Sequence, residues 1–305
     1  MSEWAIETTA LKHRFGAFEA LKGIDLRVRR GSVFGLIGPN GAGKTTTFSV
    51  LCGFIKPTSG QVRILGCDAQ DRVGLAGRVG ALPQDAPLPP VSAIDALLYW
   101  GELSGMSPLD AMVAANAALA MVGLTKDARR RASDFSHGMA KRVSIAQAFM
   151  GEPELVLLDE PTSGLDPKSA FEVKEIIRSR RGRETIVISS HDLAQIEELC
   201  DSIAVIDRGK VVQQGEISEL TGQGERVRLA VADADARKAI AAIEKLAFAS
   251  HVAFDTKRLV IEIRVKGAPA EDAIPAILLA ALQAGARVVG VSRGQRLEER
   301  VLEIT

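Results

Sequence analysis

The stretch Gly38-Pro39-Asn40-Gly41-Ala42-Gly43-Lys44-Thr45-Thr46 limits what this chain can fold into more than any other. A glycine, four free positions and then Gly-Lys-Thr is the pattern of a phosphate-binding loop. Its flanks decide whether the pattern is a site. The apolar run Ser32-Val33-Phe34-Gly35-Leu36-Ile37 precedes it and reads as a strand, and Thr47-Phe48-Ser49-Val50-Leu51 follows and reads as the first turns of a helix. Strand, glycine loop and helix wrap backbone around a polyphosphate. The glycines permit the close approach. Amides around Gly41, Gly43, Lys44 and Thr45 then converge at the positive end of a helix. Lys44 adds a charge for the outer phosphates, and the Thr45 hydroxyl suits a Mg2+ ion.

The 305 residues suffice for one large domain and a smaller one. Aromatics are only 4% against 47% hydrophobic residues, so the core is mostly aliphatic. Lys+Arg and Asp+Glu are both 38, which removes the bulk electrostatic argument for a nucleic-acid partner. Cys52, Cys67 and Cys200 show no metal spacing and read as free thiols of a reducing cytosol. No signal pattern opens the chain, and no apolar run is long enough to cross a bilayer. Any membrane spans are expected on another chain.

Trp4 to Arg30 alternates in short β-type runs around Arg14-Phe15-Gly16. Phe15 is either a core aromatic or a platform on which a purine stacks. Lys56–Gly60 reads as a turn and Gln61–Leu65 as a strand. Val79–Pro83 then ends in Gln84, which is either a solvated strand end or a group that reaches a metal or an attacking water. From about Val91 to Met150 the character is helical. Ser92 and Ser107 head capping-box patterns with Asp95 and Asp110, and Arg129–Arg131 reads as a solvated face. Phe135-Ser136-His137-Gly138-Met139 leads into a long helix. Ser136 is its N-cap or, with the adjacent amides, a second anion site.

Leu155-Val-Leu-Leu-Asp159-Glu160 is an apolar strand whose tip carries two acids. Buried acids need a partner. A metal at the phosphate loop suits Asp159, while Glu160 points differently and suits a general base. Asp166-Pro167 is an N-cap with proline at the first helical position. That helix ends in Arg178-Ser-Arg-Arg181, complementing its dipole, with Gly182 as the stop. Glu184–Ser190 is a further buried strand. His191 at its tip is either a structural residue or a ligand group, since open α/β sheets bind at such tips. Ile203–Val212 reads as a hairpin around Arg208-Gly209.

This order of motifs resembles the ATP-binding-cassette (ABC) ATPases over about residues 3–220. Gly38–Thr46 looks like Walker A, Gln84 the Q-loop, Phe135–Met139 the signature, Leu155–Glu160 Walker B, Ser163–Asp166 the D-loop and His191 the H-loop. The resemblance implies a P-loop α/β core with an antiparallel β subdomain and an inserted helical subdomain at about 86–150. It implies ATP and Mg2+ as cofactors, with Thr45, Gln84 and Asp159 handling the metal. Lys44, Glu160 and His191 are the implied catalytic residues. Phe15 would stack on adenine, though Tyr is more usual there. Ser136 and Gly138 would face the γ-phosphate held by a partner subunit, with Asp166 at the seam. The implied partners are a membrane-spanning permease and a second ATPase subunit, as a homodimer or with a paralogue, at the cytoplasmic face of the membrane. No nucleic-acid partner is expected. The alternative is a soluble ABC ATPase acting on ribosomes or nucleic acid, which commonly has two cassettes or long coiled coils. Two positions depart from the family: His137 replaces a glycine and requires an allowed backbone angle, and Gln147 stands where Arg is usual.

Residues 1–222 are thus read as the nucleotide-binding domain and 223–305 as an accessory α+β domain. There Val227–Val231, Ala234–Leu246, His251–Phe254, Leu259–Val265, Ala270–Ala284 and Arg287–Val291 read as βαββαβ, a ferredoxin-like order. The closing Arg296–Thr305 resembles the tail of ATPase subunits of type-2, drug-exporter-like ABC transporters, which points to export.

Overall fold

The computed structural model describes residues 2–84, 87–222, 225–232, 236–267, 269–294 and 297–304. The expected helix start at Ala234, the tail residues Arg296 and Thr305, and positions 86 and 223, where two boundaries were placed, lie outside these. The chain forms two compact units, Met1–Gln214 and Gly215–Thr305.

The first unit opens with two long strands, β1 (Trp4–Phe15) and β2 (Phe18–Arg29), paired antiparallel so that Phe15 faces Phe18 at their turn. Strand β3 (Val33–Ile37) then leads through the glycine loop into helix α1 (Lys44–Leu51). Strands β4 (Ser59–Ile64) and β5 (Cys67–Asp68) complete an antiparallel sheet in the order β2-β1-β4-β5. Gly60 lies inside β4 and does not end the turn expected before it. Its φ is +88°, and a Cβ there would collide with the Ala10 carbonyl. It therefore serves the irregular pairing between β1 and β4 around Thr9 and Lys12.

After a short helix α2 (Arg72–Leu75), strand β6 (Val79–Leu82) enters the core sheet. Helices α3 (Ala93–Leu103), α4 (Pro108–Met121) and α5 (His137–Phe149) follow. Ser92, Ser107 and Ser136 each accept the backbone N–H three residues on, which fixes the three helix starts. Gly101 lets α3 approach Ala111 of α4, and Gly80 lets β6 approach the Ala148 carbonyl of α5.

Next come β7 (Leu155–Asp159), α6 (Pro167–Arg180), β8 (Thr185–Ser189), α7 (Leu193–Leu199), β9 (Ser202–Asp207) and β10 (Lys210–Glu216). The core sheet has the order β10-β9-β3-β8-β7-β6. The pairs β9–β3, β3–β8, β8–β7 and β7–β6 are parallel. Every residue of β3, β7 and β8 is buried, as expected of apolar runs covered on both faces. Arg208 and Gly209 have φ of +47° and +80°, the geometry a tight hairpin turn needs between β9 and β10. The arginines closing α6 form ion pairs: Arg178 with Glu175 and Glu198, Arg180 with Glu184, and Arg181 with Asp201.

The second unit begins with a short helix α8 (Ile217–Leu220). It continues through β11 (Arg226–Val231), α9 (Arg237–Ile243), β12 (Ala249–Asp255), β13 (Val260–Val265), α10 (Ala270–Gln283), β14 (Val288–Arg293) and α11 (Leu297–Ile304). Its sheet is antiparallel in the order β12-β13-β11-β14. Val227, Leu229, Ile261 and Ile263 meet Ile243 of α9 and Ile277 of α10 in a separate core. Arg228, between the core residues Val227 and Leu229 of β11, bonds Glu299 of α11. Among the described residues no helix is long and apolar enough to cross a membrane.

Candidate nucleotide site

The parallel core sheet carries the candidate site at the carboxyl ends of β3, β6, β7 and β8, where open α/β sheets place their ligands. The loop after β3 is built by glycine. Gly43 caps α1 at φ +111°, and a Cβ at Gly38 would collide with the Ile206 carbonyl. Helix α1 thus starts at Lys44, three residues before the apolar run that signals it in the sequence. Its free N–H groups face the loop. Lys44 donates through Nζ to the Gly38 and Pro39 carbonyls at 2.6 and 3.1 Å. Burial holds its pKa below the usual lysine value, against the opposing pull of Glu160 and Asp159.

Asp159, the last residue of β7, is 2% exposed. Burial raises its pKa, and its Oδ1 has no hydrogen-bond partner among the described residues. Its cross-strand neighbour Ser189 is equally buried, and its hydroxyl lies near enough to the carboxyl to oppose that rise, though outside hydrogen-bond geometry. A buried carboxylate oxygen without a partner fits a cation supplied from outside the chain. Among the described residues no group of three His, Cys, Asp or Glu side chains could hold a metal alone, so such a cation would also need ligand oxygens.

Glu160 takes the left-handed backbone conformation, φ +48°, which is uncommon for a side chain of this size. Its amide donates to the Ser189 carbonyl at 2.9 Å, and its Oε1 accepts the His191 amide at 3.1 Å and Nδ1–H at 2.8 Å. Both bonds fall on Oε1, so Oε2 stays available to a water. The His191 side chain is 63% exposed.

These groups border a cavity of about 360 Å3 lined by Phe15, Phe18, Ala20, Asn40, Gly41, Gly43, Lys44, Thr45, Thr46, Gln84, Asp159, Glu160, Ser189 and His191. Gly38, Pro39 and Ala42 support it from behind: Pro39 accepts the Ala42 amide, and Ala42 accepts the Gly209 amide. Phe15 and Phe18 are 53% and 65% exposed, so neither is a core residue. His13 packs edge-on against Phe15, its ring 4.5 Å away. Three lining residues, Phe18, Ala20 and Ser189, escape the sequence reading. Pairing could have signalled two of them, Phe18 opposite Phe15 across a tight turn and Ser189 opposite Asp159.

Ser136, Gly138 and Asp166 stand apart from this cavity, in a second cluster. The Ser136 hydroxyl accepts the Met139 amide. Asp166 accepts the Lys168 and Ser169 amides and, at 2.6 Å, the Ser169 hydroxyl, whose bond holds the carboxyl below its usual pKa. A Cβ on Gly138 would collide with Ser169, so this glycine sets how closely α5 meets α6. His137 opens α5 without positive φ, and its Nε2 would lie 3.3 Å from a Cβ on Gly164. The backbone demand raised by its replacing glycine is therefore met. Nothing in the structure explains Gln147.

The fold and the loop are those of a P-loop nucleotide-binding domain. The family model described as ABC transporter matches residues 21–163. The daunorubicin resistance ATP-binding protein DrrA3 of Streptomyces coeruleorubidus is 33% identical over 319 residues, covering 100% of this chain and 97% of that protein. The linearmycin resistance ATP-binding protein LnrL of Bacillus subtilis (strain 168) is 34% identical over 218 residues, 70% of each chain. The solved ATP binding subunit of an ABC transporter is 28% identical, with a TM-score of 0.65 over 72% of this chain and 92% of that one. The chain belongs to the ABC transporter family, as one of its ATP-binding, ATP-hydrolysing subunits.

Proposed function

We propose that the chain powers an exporter through a separate membrane-spanning permease, working at the cytoplasmic face of the membrane. The names of its relatives, drug-resistance and antibiotic-transport ATP-binding proteins, support export. The convergence of the glycine loop, Asp159, Glu160 and His191 on one cavity carries the mechanistic reading. Phe15, with Phe18, offers aromatic faces to the adenine. Amides from Gly41 to Thr46 cradle the phosphates, and Lys44 leaves its loop carbonyls for the outer ones. Thr45, Gln84 and Asp159 would hold Mg2+, which neutralises phosphate charge when bound. Glu160 takes a proton from the attacking water through Oε2. His191 keeps that carboxylate oriented and adds positive character beside the γ-phosphate.

Ser136 and Asp166 are exposed at the starts of α5 and α6, and Gly138 is buried where the two helices meet. We assign these three residues to the γ-phosphate of a second subunit, two copies closing head to tail around two nucleotides. We assign residues 1–222 to the nucleotide-binding domain and 223–305 to an accessory domain of ferredoxin-like type, a reading supported by its alternating order and sheet. Mg2+-dependent ATPase of the purified full chain tests the assignment. Lys44→Ala is expected to weaken ATP binding and abolish turnover; wild-type turnover by Lys44→Ala contradicts it.

A further inference from the structure

The segment that carries the reacting pair is held from behind by a side chain outside the cavity. Gln195, on α7, is 2% exposed. Its Oε1 accepts the Thr162 hydroxyl at 2.8 Å and the Ser190 hydroxyl at 3.3 Å. Thr162 lies two residues after Glu160, and Ser190 immediately precedes His191. The Ser190 hydroxyl in turn accepts the Asp192 amide, and Asp192 caps α7 at the Gln195 amide. One amide therefore ties together the two loops whose side chains meet in the Glu160–His191 bond. Either orientation of the amide keeps both contacts, because a hydroxyl donates or accepts. Its Nε2 end is buried without a partner among the described residues. A buried orphan donor is costly, and the packing retains it for the two bonds at the other end.

We infer that Gln195 is a positioning residue for hydrolysis, holding the Glu160 loop and the His191 loop at one spacing through Thr162 and Ser190. The need is local. Glu160 sits at φ +48°, a conformation that persists only where its surroundings enforce it. The Ser189 carbonyl and His191 hold Glu160 on its β8 side, and the bridge to Thr162 holds the chain beyond it. Thr162, Ser190 and Gln195 are absent from the residues lining the nucleotide cavity. Loss of the bridge should therefore lower kcat and leave the KM for ATP unchanged. The inference rests on Glu160 and His191 being the hydrolytic pair.

The test is steady-state ATPase of the full chain at one subunit concentration, with thermal unfolding and ATP affinity measured in parallel. Gln195→Leu and Thr162→Val should each lower kcat about tenfold, about 1.4 kcal/mol of transition-state stabilisation, with KM within about twofold. Thr162→Ser keeps the hydroxyl and should keep wild-type turnover. The double variant Thr162→Val/Gln195→Leu should be no slower than either single one, because one bridge is lost once. If Gln195→Leu does not fold, Thr162→Val alone decides, its side chain being only partly buried. Turnover within about twofold of wild type in Thr162→Val, a raised KM, or multiplicative loss in the double variant overturns the inference. Glu160→Gln run alongside separates the two claims. If it turns over normally, the hydrolytic pair is wrong; if it is inactive while Thr162→Val is fully active, only the bridge is wrong.

Discussion

Asp159 and Lys44 are both buried among the groups that line the nucleotide cavity. Burial raises the pKa of one and lowers that of the other. For Asp159 the folded value lies above the unfolded one. Its contribution to stability is therefore present below the unfolded value and lost as pH rises through the folded one. Asp159→Asn should unfold at a higher temperature than wild type near pH 7 without nucleotide. The gain should shrink as pH falls and wild-type Asp159 takes up its proton, and calorimetry across pH checks that direction. The same variant should lose Mg2+-dependent turnover. The presence of these two residues at a phosphate site is legible in sequence, because motif spacing fixes it. The role of Gln195 is not, since nothing in its neighbours along the chain marks two hydroxyls brought to it by folding.

At the scale of elements, the helix starts are the most legible features. Ser92, Ser107, Ser136 and Asp166 each cap where local chemistry places them. Local rules fail where two elements meet. Gly138 reads as part of a signature, yet its missing Cβ is required by Ser169 on another helix. Gly138→Ala should therefore lower thermal stability, and Gly138→Ala/Ser169→Gly should recover part of it, separating packing from any γ-phosphate role. Arg180 shows the same limit. Sequence assigns it to the helix dipole, but it closes a two-pronged ion pair with the buried Glu184 and so ties the end of α6 to the start of β8. Arg180→Met leaves that carboxylate buried and unpaired, at a cost of about 3–5 kcal/mol. Arg180→Met/Glu184→Leu should be more stable than Arg180→Met alone, as denaturant unfolding would report.

Across the whole molecule, the phosphate loop and the Ser136–Gly138–Asp166 cluster are two separate surfaces of one unit. The proposed head-to-tail pairing of two copies would bring the cluster of one to the loop of the other. His137 belongs to that second surface, so His137→Gly should alter turnover while leaving ATP affinity of the single subunit unchanged, measured by equilibrium binding beside steady-state ATPase. The account depends most on Glu160, whose carboxylate would separate closure from hydrolysis. The direct measurement is light scattering of Glu160→Gln with Mg·ATP, with the bound nucleotide analysed afterwards. The account predicts a dimer formed only with ATP, holding intact ATP, with turnover reduced at least about 100-fold. A monomer that hydrolyses ATP at the wild-type rate would contradict it.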